Sequence, residues 1–236
     1  MQDAYIYDGL RTPIGRHAGG LAPVRPDDLL AGIVKELVAR SPFKPGDFED
    51  AIVGCTNQAG EDARNVARHA ALLAGLPTTI GGLTVNRLCG SGLAAVLDAG
   101  RAASTGEGEL FVAGGVESMS RAPFVMAKSE TAYGRDVRVF DSTIGARFPN
   151  PRVSKQFGDD TMPQTADNVG RDLAIGREES DRADLALVEA VGLGLGVFLL
   201  RGGGEPVGPA PRRAPRRWWR RTSTRAPTRP STASPS

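Results

Sequence analysis

The chain has 236 residues, 40% of them hydrophobic, and a net charge of +2, which allows one large domain or two small ones with a buried core. The two cysteines, Cys55 and Cys89, are too few for a disulfide framework and favour a reducing compartment. The first residues lack the pattern of a secretory signal, and the longest apolar run, residues 190–200, is too short to span a membrane. We therefore expect a cytoplasmic protein.

Strand and helix patterns alternate through the first half of the chain. Strands are predicted at residues 4–7, 50–55, 80–85 and 109–115. Helices are predicted at residues 27–38 and 65–74 and in the Ala-rich run that follows Cys89. This order predicts an α/β layered domain with a largely parallel sheet.

Cys89 lies at the junction between the predicted strand 80–85 and the Ala-rich helix. A helix start offers unpaired backbone N–H groups and the positive end of the helix dipole, and both favour a thiolate over a thiol. Gly90 and Gly92 leave room for a substrate because glycine has no Cβ. The pattern therefore predicts a nucleophilic cysteine, and the alternative is a buried structural cysteine.

Other chemical motifs are weak or absent from the sequence. His17 lies in a Gly-rich loop and His69 in a predicted helix, and a lone histidine is weak evidence for acid-base catalysis. We interpret both as structural or exposed. The sequence has no phosphate-binding loop and no His/Cys cluster with metal-ligand spacing, so we predict no metal site and no cofactor.

The segment around Cys89 resembles a known family. Residues 85–92, Val-Asn-Arg-Leu-Cys-Gly-Ser-Gly, are similar to the acyl-enzyme cysteine segment of thiolases, which cleave 3-oxoacyl-CoA or condense two acyl-CoA molecules. Further thiolase-like blocks follow the order of the family and cover residues 11–16, 58–60, 65–68 and 113–123. The resemblance spans residues 3 to about 187 and implies that Cys89 carries the acyl group.

The resemblance also implies a domain organisation. It predicts a thiolase-like layered fold, with the N-terminal half, a mixed sheet with helices, over residues 1–118. A partial loop domain follows over residues 119–187, where the strand–helix alternation stops and Gly, Pro and charged residues are frequent. In thiolases this domain covers the active site and helps to bind coenzyme A.

Residues 139–151 and 160–169 resemble most closely the thiolases that act on 3-oxoadipyl-CoA in the degradation of aromatic compounds. The resemblance implies that Met162 lines the acyl pocket, and the alternative is a flexible core residue. Arg147 or Arg152 could pair with a dicarboxylic acyl chain or with CoA phosphates, although solvation at the surface is the commoner role of a lone arginine.

The implied reaction is cleavage of a 3-oxoacyl-CoA, with 3-oxoadipyl-CoA as the leading substrate, by coenzyme A through an acyl-cysteine intermediate. Coenzyme A and acyl-CoA would be substrates and partners, and the full-length family implies a homo-oligomer without a membrane partner. A general acetyl-CoA acetyltransferase is the alternative within the family.

The resemblance ends near residue 187. The family's Asn-Glu-Ala-Phe, Gly-His-Pro and Cys-x-Gly segments, which carry the catalytic histidine and second cysteine, do not occur in the 236 residues. We therefore predict a truncated chain with negligible activity alone.

Residues 188–236 are rich in Arg, Pro, Gly and Ser, and nine arginines against two glutamates give them a charge of +7. Because this composition buries little apolar surface, it predicts a disordered tail, which a frameshift would explain. The alternative function is a non-catalytic module whose arginines, with Trp218 and Trp219, bind a polyanion. We regard nucleic acid as the less favoured partner.

Overall fold

A computed structural model describes residues 2–183 and 197–203 of the chain. In these residues the strands are β1 (Ala4–Leu10), β2 (Asp50–Gly54), β3 (Leu83–Val85), β4 (Leu110–Gly115), β5 (Phe124–Met126), β6 (Val139–Asp141) and β7 (Val197–Gly202). The α-helices with both ends described are α1 (Pro26–Arg40), α2 (Val66–Leu73), α3 (Ser91–Thr105), α4 (Pro151–Phe157) and α5 (Met162–Asp172). No helix in this part of the chain is long and apolar enough to cross a bilayer.

Five strands form the main sheet, in the order β1-β7-β4-β2-β3. β2 pairs in parallel with both β3 and β4, whereas β7 is antiparallel to both β1 and β4. Four strands therefore run in one direction and β7 runs against them. The α/β fold with a mixed sheet and helices, expected from the sequence, is confirmed.

The strand β7 differs from the sequence prediction, which placed residues 188–236 in a disordered tail. Val197, Leu199 and Leu200 are each at most 3% exposed, and β7 lies between β1 and β4. The physical reason is that the backbone of this short apolar run can hydrogen-bond to both neighbouring strands. The prediction used the composition of the whole tail, in which this short run has little weight. The rest of the tail, residues 204–236, lies outside the described residues.

The two faces of the sheet are covered by different helices. On one face, Leu37 of α1 and Val66 of α2 pack in the same core cluster as Val53 and Val112 of the sheet. On the other face, α3 packs through three fully buried alanines, Ala95, Ala99 and Ala103. These small side chains allow a close approach of α3 to the strands.

Residues 119–183 form a second region beyond the main sheet. Its strands β5 and β6 pair antiparallel, and Ser142, next to β6, is buried. The helices α4 and α5 bury none of their residues. This region corresponds to the sequence segment that we predicted as a partial loop domain, and its assignment as a domain stays a prediction.

Candidate functional site

Cys89 lies in the turn that connects β3 to α3, and its side chain is exposed. Two polar side chains fix this turn. The Asn86 Oδ1 atom accepts a hydrogen bond from the Leu88 N–H at 3.0 Å. The Ser91 hydroxyl accepts from the Arg87 N–H at 2.8 Å and donates to the Leu88 carbonyl at 2.6 Å. The thiol therefore stands on an ordered turn directly before a helix.

The start of α3 lies unusually close to the end of β2. A Cβ atom at Gly54 would lie 2.3 Å from the carbonyl carbon of Ser91 and 2.5 Å from the backbone nitrogen of Gly92. By contrast, Cβ atoms at Gly90 and Gly92 would meet other atoms only at 3.4 Å and 3.9 Å. The close approach therefore depends on Gly54, which the sequence interpretation did not single out.

Cys55 directly follows β2 and is only 1% exposed. Its thiol donates to Asp62 Oδ2 over 3.7 Å and lies 4.0 Å from Glu117 Oε1. Burial, and then the charge of Glu117, raise the pKa of Cys55 to about 12. The sulfur of Cys55 is therefore a protonated thiol near neutral pH and not a nucleophile.

Cys55, Asp62 and Glu117 place one sulfur and two carboxylate oxygens within 4.8 Å of one another. Asp62 also accepts a hydrogen bond from the Gly60 N–H at 3.0 Å. Glu117 accepts from the Thr56 N–H at 2.8 Å and from the Thr56 hydroxyl. The spacing along the sequence did not predict this cluster, since Glu117 is 62 residues from Cys55. The cluster links the loop after β2 to the loop after β4.

Met162 is the first residue of α5, and its side chain is 71% exposed. Because α5 buries none of its residues, the described part of the chain does not place Met162 in an enclosed pocket. Its role in binding the acyl chain therefore stays a prediction.

The two arginines considered for anion binding have different surroundings. Arg147 donates to the carbonyl of Ser142 at 3.1 Å and to the carbonyl of Asn57 at 2.8 Å. It therefore ties the loop after β6 to the loop after β2. Arg152 is exposed in the first turn of α4.

The remaining sequence candidates are less informative. His17 is exposed, and His69 is partly buried on α2. The arginine cluster with Trp218 and Trp219 lies outside the described residues.

Known proteins resemble this chain over the same region. The family model described as "Thiolase, N-terminal domain" matches residues 4–187. A 3-oxoadipyl-CoA/3-oxo-5,6-dehydrosuberyl-CoA thiolase of Escherichia coli K12 is 57% identical over 182 residues, which are 77% of this chain and 45% of that protein. A beta-ketoadipyl-CoA thiolase of Acinetobacter baylyi is 55% identical over 183 residues, 77% of this chain and 46% of that protein.

A solved structure shows the same fold. An acetyl-CoA acetyltransferase of Bacillus anthracis superposes with a TM-score of 0.66 at 32% sequence identity, covering 78% of this chain and 45% of that one. The chain thus spans about half the length of the curated relatives that it matches.

Proposed function

The chain belongs to the thiolase family, whose N-terminal domain it matches over residues 4–187, and we propose that Cys89 is the acyl-accepting nucleophile of a thiolase-type acyltransferase. The observation that carries this proposal is the exposed thiol on an ordered turn directly before α3. An exposed cysteine on an ordered turn before a helix is the kind of position at which proteins place a nucleophilic thiol.

In the proposed reaction the sulfur of Cys89 attacks the 3-oxo carbon of the acyl-CoA. The bond between carbons 2 and 3 then breaks, and acetyl-CoA leaves as an enolate that takes up a proton. The thiol of coenzyme A afterwards attacks the thioester on Cys89, releases the shortened acyl-CoA and returns the cysteine. Coenzyme A and acyl-CoA are substrates in this scheme, and no cofactor is required.

We propose 3-oxoadipyl-CoA as the leading substrate, which would leave a succinyl group on Cys89. The support is the 57% identity to a thiolase named for that substrate. The alternative is a general acetyl-CoA acetyltransferase, supported by the similarity to the Bacillus anthracis structure at 32% identity. The higher identity favours 3-oxoadipyl-CoA as the substrate.

The present chain would turn over very slowly by itself. The family's Gly-His-Pro and Cys-x-Gly segments, which bring the base and the second cysteine, do not occur in the sequence. Loss of a general base and of an oxyanion donor typically costs about a hundredfold or more each.

We further propose that residues 119–187 belong to the loop domain. We also propose that the protein works in the cytoplasm, and that it forms a homo-oligomer when the whole enzyme is present.

The proposal is tested by loading the thiol without requiring turnover. The full chain is incubated with succinyl-CoA or with acetyl-CoA, and the modified residue is identified by mass spectrometry. We expect a thioester on Cys89, with succinyl-CoA the better donor if the dicarboxylic substrate is correct. The Cys55→Ser variant should load normally, whereas the Cys89→Ser variant should not load.

Two outcomes would count against the proposal. If Cys89 reacts with iodoacetamide in the folded chain but accepts no acyl group from either donor, it is not an acyl carrier. If acetyl-CoA loads Cys89 and succinyl-CoA does not, the general acetyltransferase is the better assignment.

A further inference from the structure

We propose that Glu117 is a positioning residue for Cys89 and acts on it through Thr56 and Asn86, an inference that rests on the proposed function because it takes Cys89 as the reacting thiol. Glu117 does not contact the thiol of Cys89 in the hydrogen bonds described above. Its effect passes through the loop that follows β2.

The carboxylate of Glu117 fixes the loop after β2. The Oε2 atom of Glu117 accepts hydrogen bonds from the Thr56 N–H at 2.8 Å and from the Thr56 hydroxyl. The Oε1 atom accepts from the Asn57 N–H at 3.2 Å. One carboxylate thus holds two successive peptide units, and hydrogen bonds to a charged acceptor are stronger than those to a neutral one.

The side chain of Asn86 connects this loop to the turn that carries Cys89. The carbonyl of Thr56 accepts a hydrogen bond from the Asn86 side-chain amide at 3.2 Å. The other end of the same side chain, Oδ1, accepts from the Leu88 N–H at 3.0 Å. Asn86 therefore couples the backbone position of Thr56 to the residue directly before Cys89.

The backbone of Leu88, directly before Cys89, has a φ of +49°. This left-handed conformation is unfavourable for a residue with a branched side chain and persists only when surrounding contacts hold it. It also orients the next residue, Cys89, at the start of the helix. Loosening Asn86 should therefore let the turn relax and change the position of the thiol at the start of α3.

Backbone pairing between the strands does not depend on Glu117. The Cys55 N–H donates to the Val85 carbonyl at 3.1 Å, and the Val116 N–H donates to the Gly54 carbonyl at 3.0 Å. Removing the charge of Glu117 should therefore leave the sheet intact and alter the turn. This separation makes the proposal testable by a change in thiol reactivity instead of by unfolding.

The test measures the rate at which iodoacetamide alkylates Cys89 in the full chain between about pH 6 and pH 10. Two variants break the relay at different points. Glu117→Gln removes the charge, and Asn86→Ala removes the side-chain bonds to the Thr56 carbonyl and from the Leu88 N–H without adding a charge near Cys89. We expect each variant to slow alkylation about fivefold, and the double variant to be no slower than the slower single one.

Glu49→Gln is the matched control. Glu49 also accepts a backbone hydrogen bond, from Glu109 at 2.7 Å, but it precedes β2 and lies at the opposite end of that strand. Its variant should alkylate Cys89 at the wild-type rate. Far-UV circular dichroism and urea unfolding verify that each variant is folded.

The proposal is overturned if either single variant alkylates Cys89 at the wild-type rate, or if the two effects multiply in the double variant. If Glu117→Gln does not fold, Asn86→Ala decides alone, because a normal rate in that variant excludes the relay. The probe needs no CoA ester, so the two proposals can fail separately. A relay seen by alkylation with no acyl loading would refute the proposed function only.

Discussion

Cys55 and Cys89 follow two neighbouring parallel strands, β2 and β3, yet the two thiols lie in different surroundings. Cys55 is 1% exposed and lies beside two carboxylates, whereas Cys89 is exposed on the turn before α3. Position at the carboxyl edge of a parallel sheet is therefore not sufficient to make a cysteine reactive. The packing and charge around each sulfur decide its chemistry.

The two turns also achieve order by different means. The Cys55 turn is buried and carries acidic neighbours, which penalise a thiolate. The Cys89 turn is held in the open by the side chains of Asn86 and Ser91. Rigidity without burial leaves a thiol both positioned and accessible, which is what a nucleophile requires.

The largest expected difference is in alkylation of the two thiols. With a pKa of about 12, about one Cys55 side chain in ten thousand is ionised at pH 8. Iodoacetamide should therefore modify the buried Cys55 in the folded chain at least about tenfold more slowly than the exposed Cys89. Peptide mass spectrometry after timed labelling measures both rates. Labelling in urea is the control, because unfolding should remove the difference between the two alkylation rates. Equal rates in the native protein would show that the fold does not protect Cys55.

Gly54 joins the two turns, because it precedes Cys55 and packs against the start of the helix after Cys89. In Gly54→Ala the new Cβ would meet backbone atoms of Ser91, which cannot move aside as a side-chain tip can. We expect the free energy of unfolding to fall by about 3 kcal/mol in urea titrations.

Gly46→Ala is the matched control for this substitution, because a Cβ there meets nothing within 4 Å. It should change stability by no more than about 0.5 kcal/mol. Equal effects of the two substitutions would show that the close approach at Gly54 is not required.

The buried thiol should make stability depend on alkaline pH. The folded state raises the pKa of Cys55 from 9.0 to about 12, so its protonated form is favoured in the fold. This contribution is complete below pH 9 and is lost as the pH rises from 9 towards 12, at up to about 1.4 kcal/mol per pH unit. Urea unfolding at increasing pH should show a steeper loss for wild type than for Cys55→Ser. The Cys89→Ser control should keep the wild-type slope.

The smallest expected effect on stability comes from removing the Ser91 hydroxyl, which holds the Cys89 turn. Ser91 is 4% exposed, and Ser91→Ala leaves the Arg87 N–H without its hydroxyl acceptor. The free energy of unfolding should fall by about 1 kcal/mol. Ser180→Ala removes an exposed hydroxyl that donates to Gly176 at 3.2 Å and should have no measurable effect. A loss of similar size in both variants would mean that the Ser91 bonds do not hold the turn.

The region around Cys89 was predictable because its signals are local. A strand, a turn with Gly90 and Ser91, and an Ala-rich helix are adjacent in the sequence, and the helix was placed correctly from its spacing. Cys55 also follows a strand that the sequence predicted, yet its environment depends on Glu117, 62 residues away. No periodicity or turn pattern in the sequence near Cys55 indicates that Glu117 lies beside it.

The short strand β7 likewise depends on residues that are far away in the sequence. Its residues pair with β1 near the start of the chain and with β4 in the middle. Their apolar character is visible in the sequence, but the basic and Pro-rich residues that follow dominate the composition. Composition therefore predicted the wrong state for a segment whose partners are distant.

The sequence by itself determined the alternation of strands and helices, the family, and the place of Cys89 before a helix, because propensity and turn chemistry act over a few residues. Only the tertiary structure decided that β7 enters the sheet, that Gly54 touches α3, that Cys55 is buried as a thiol, and that Glu117 reaches the loop after β2. Each of these depends on contacts between residues that are far apart along the chain, and such contacts exist only after the chain has folded.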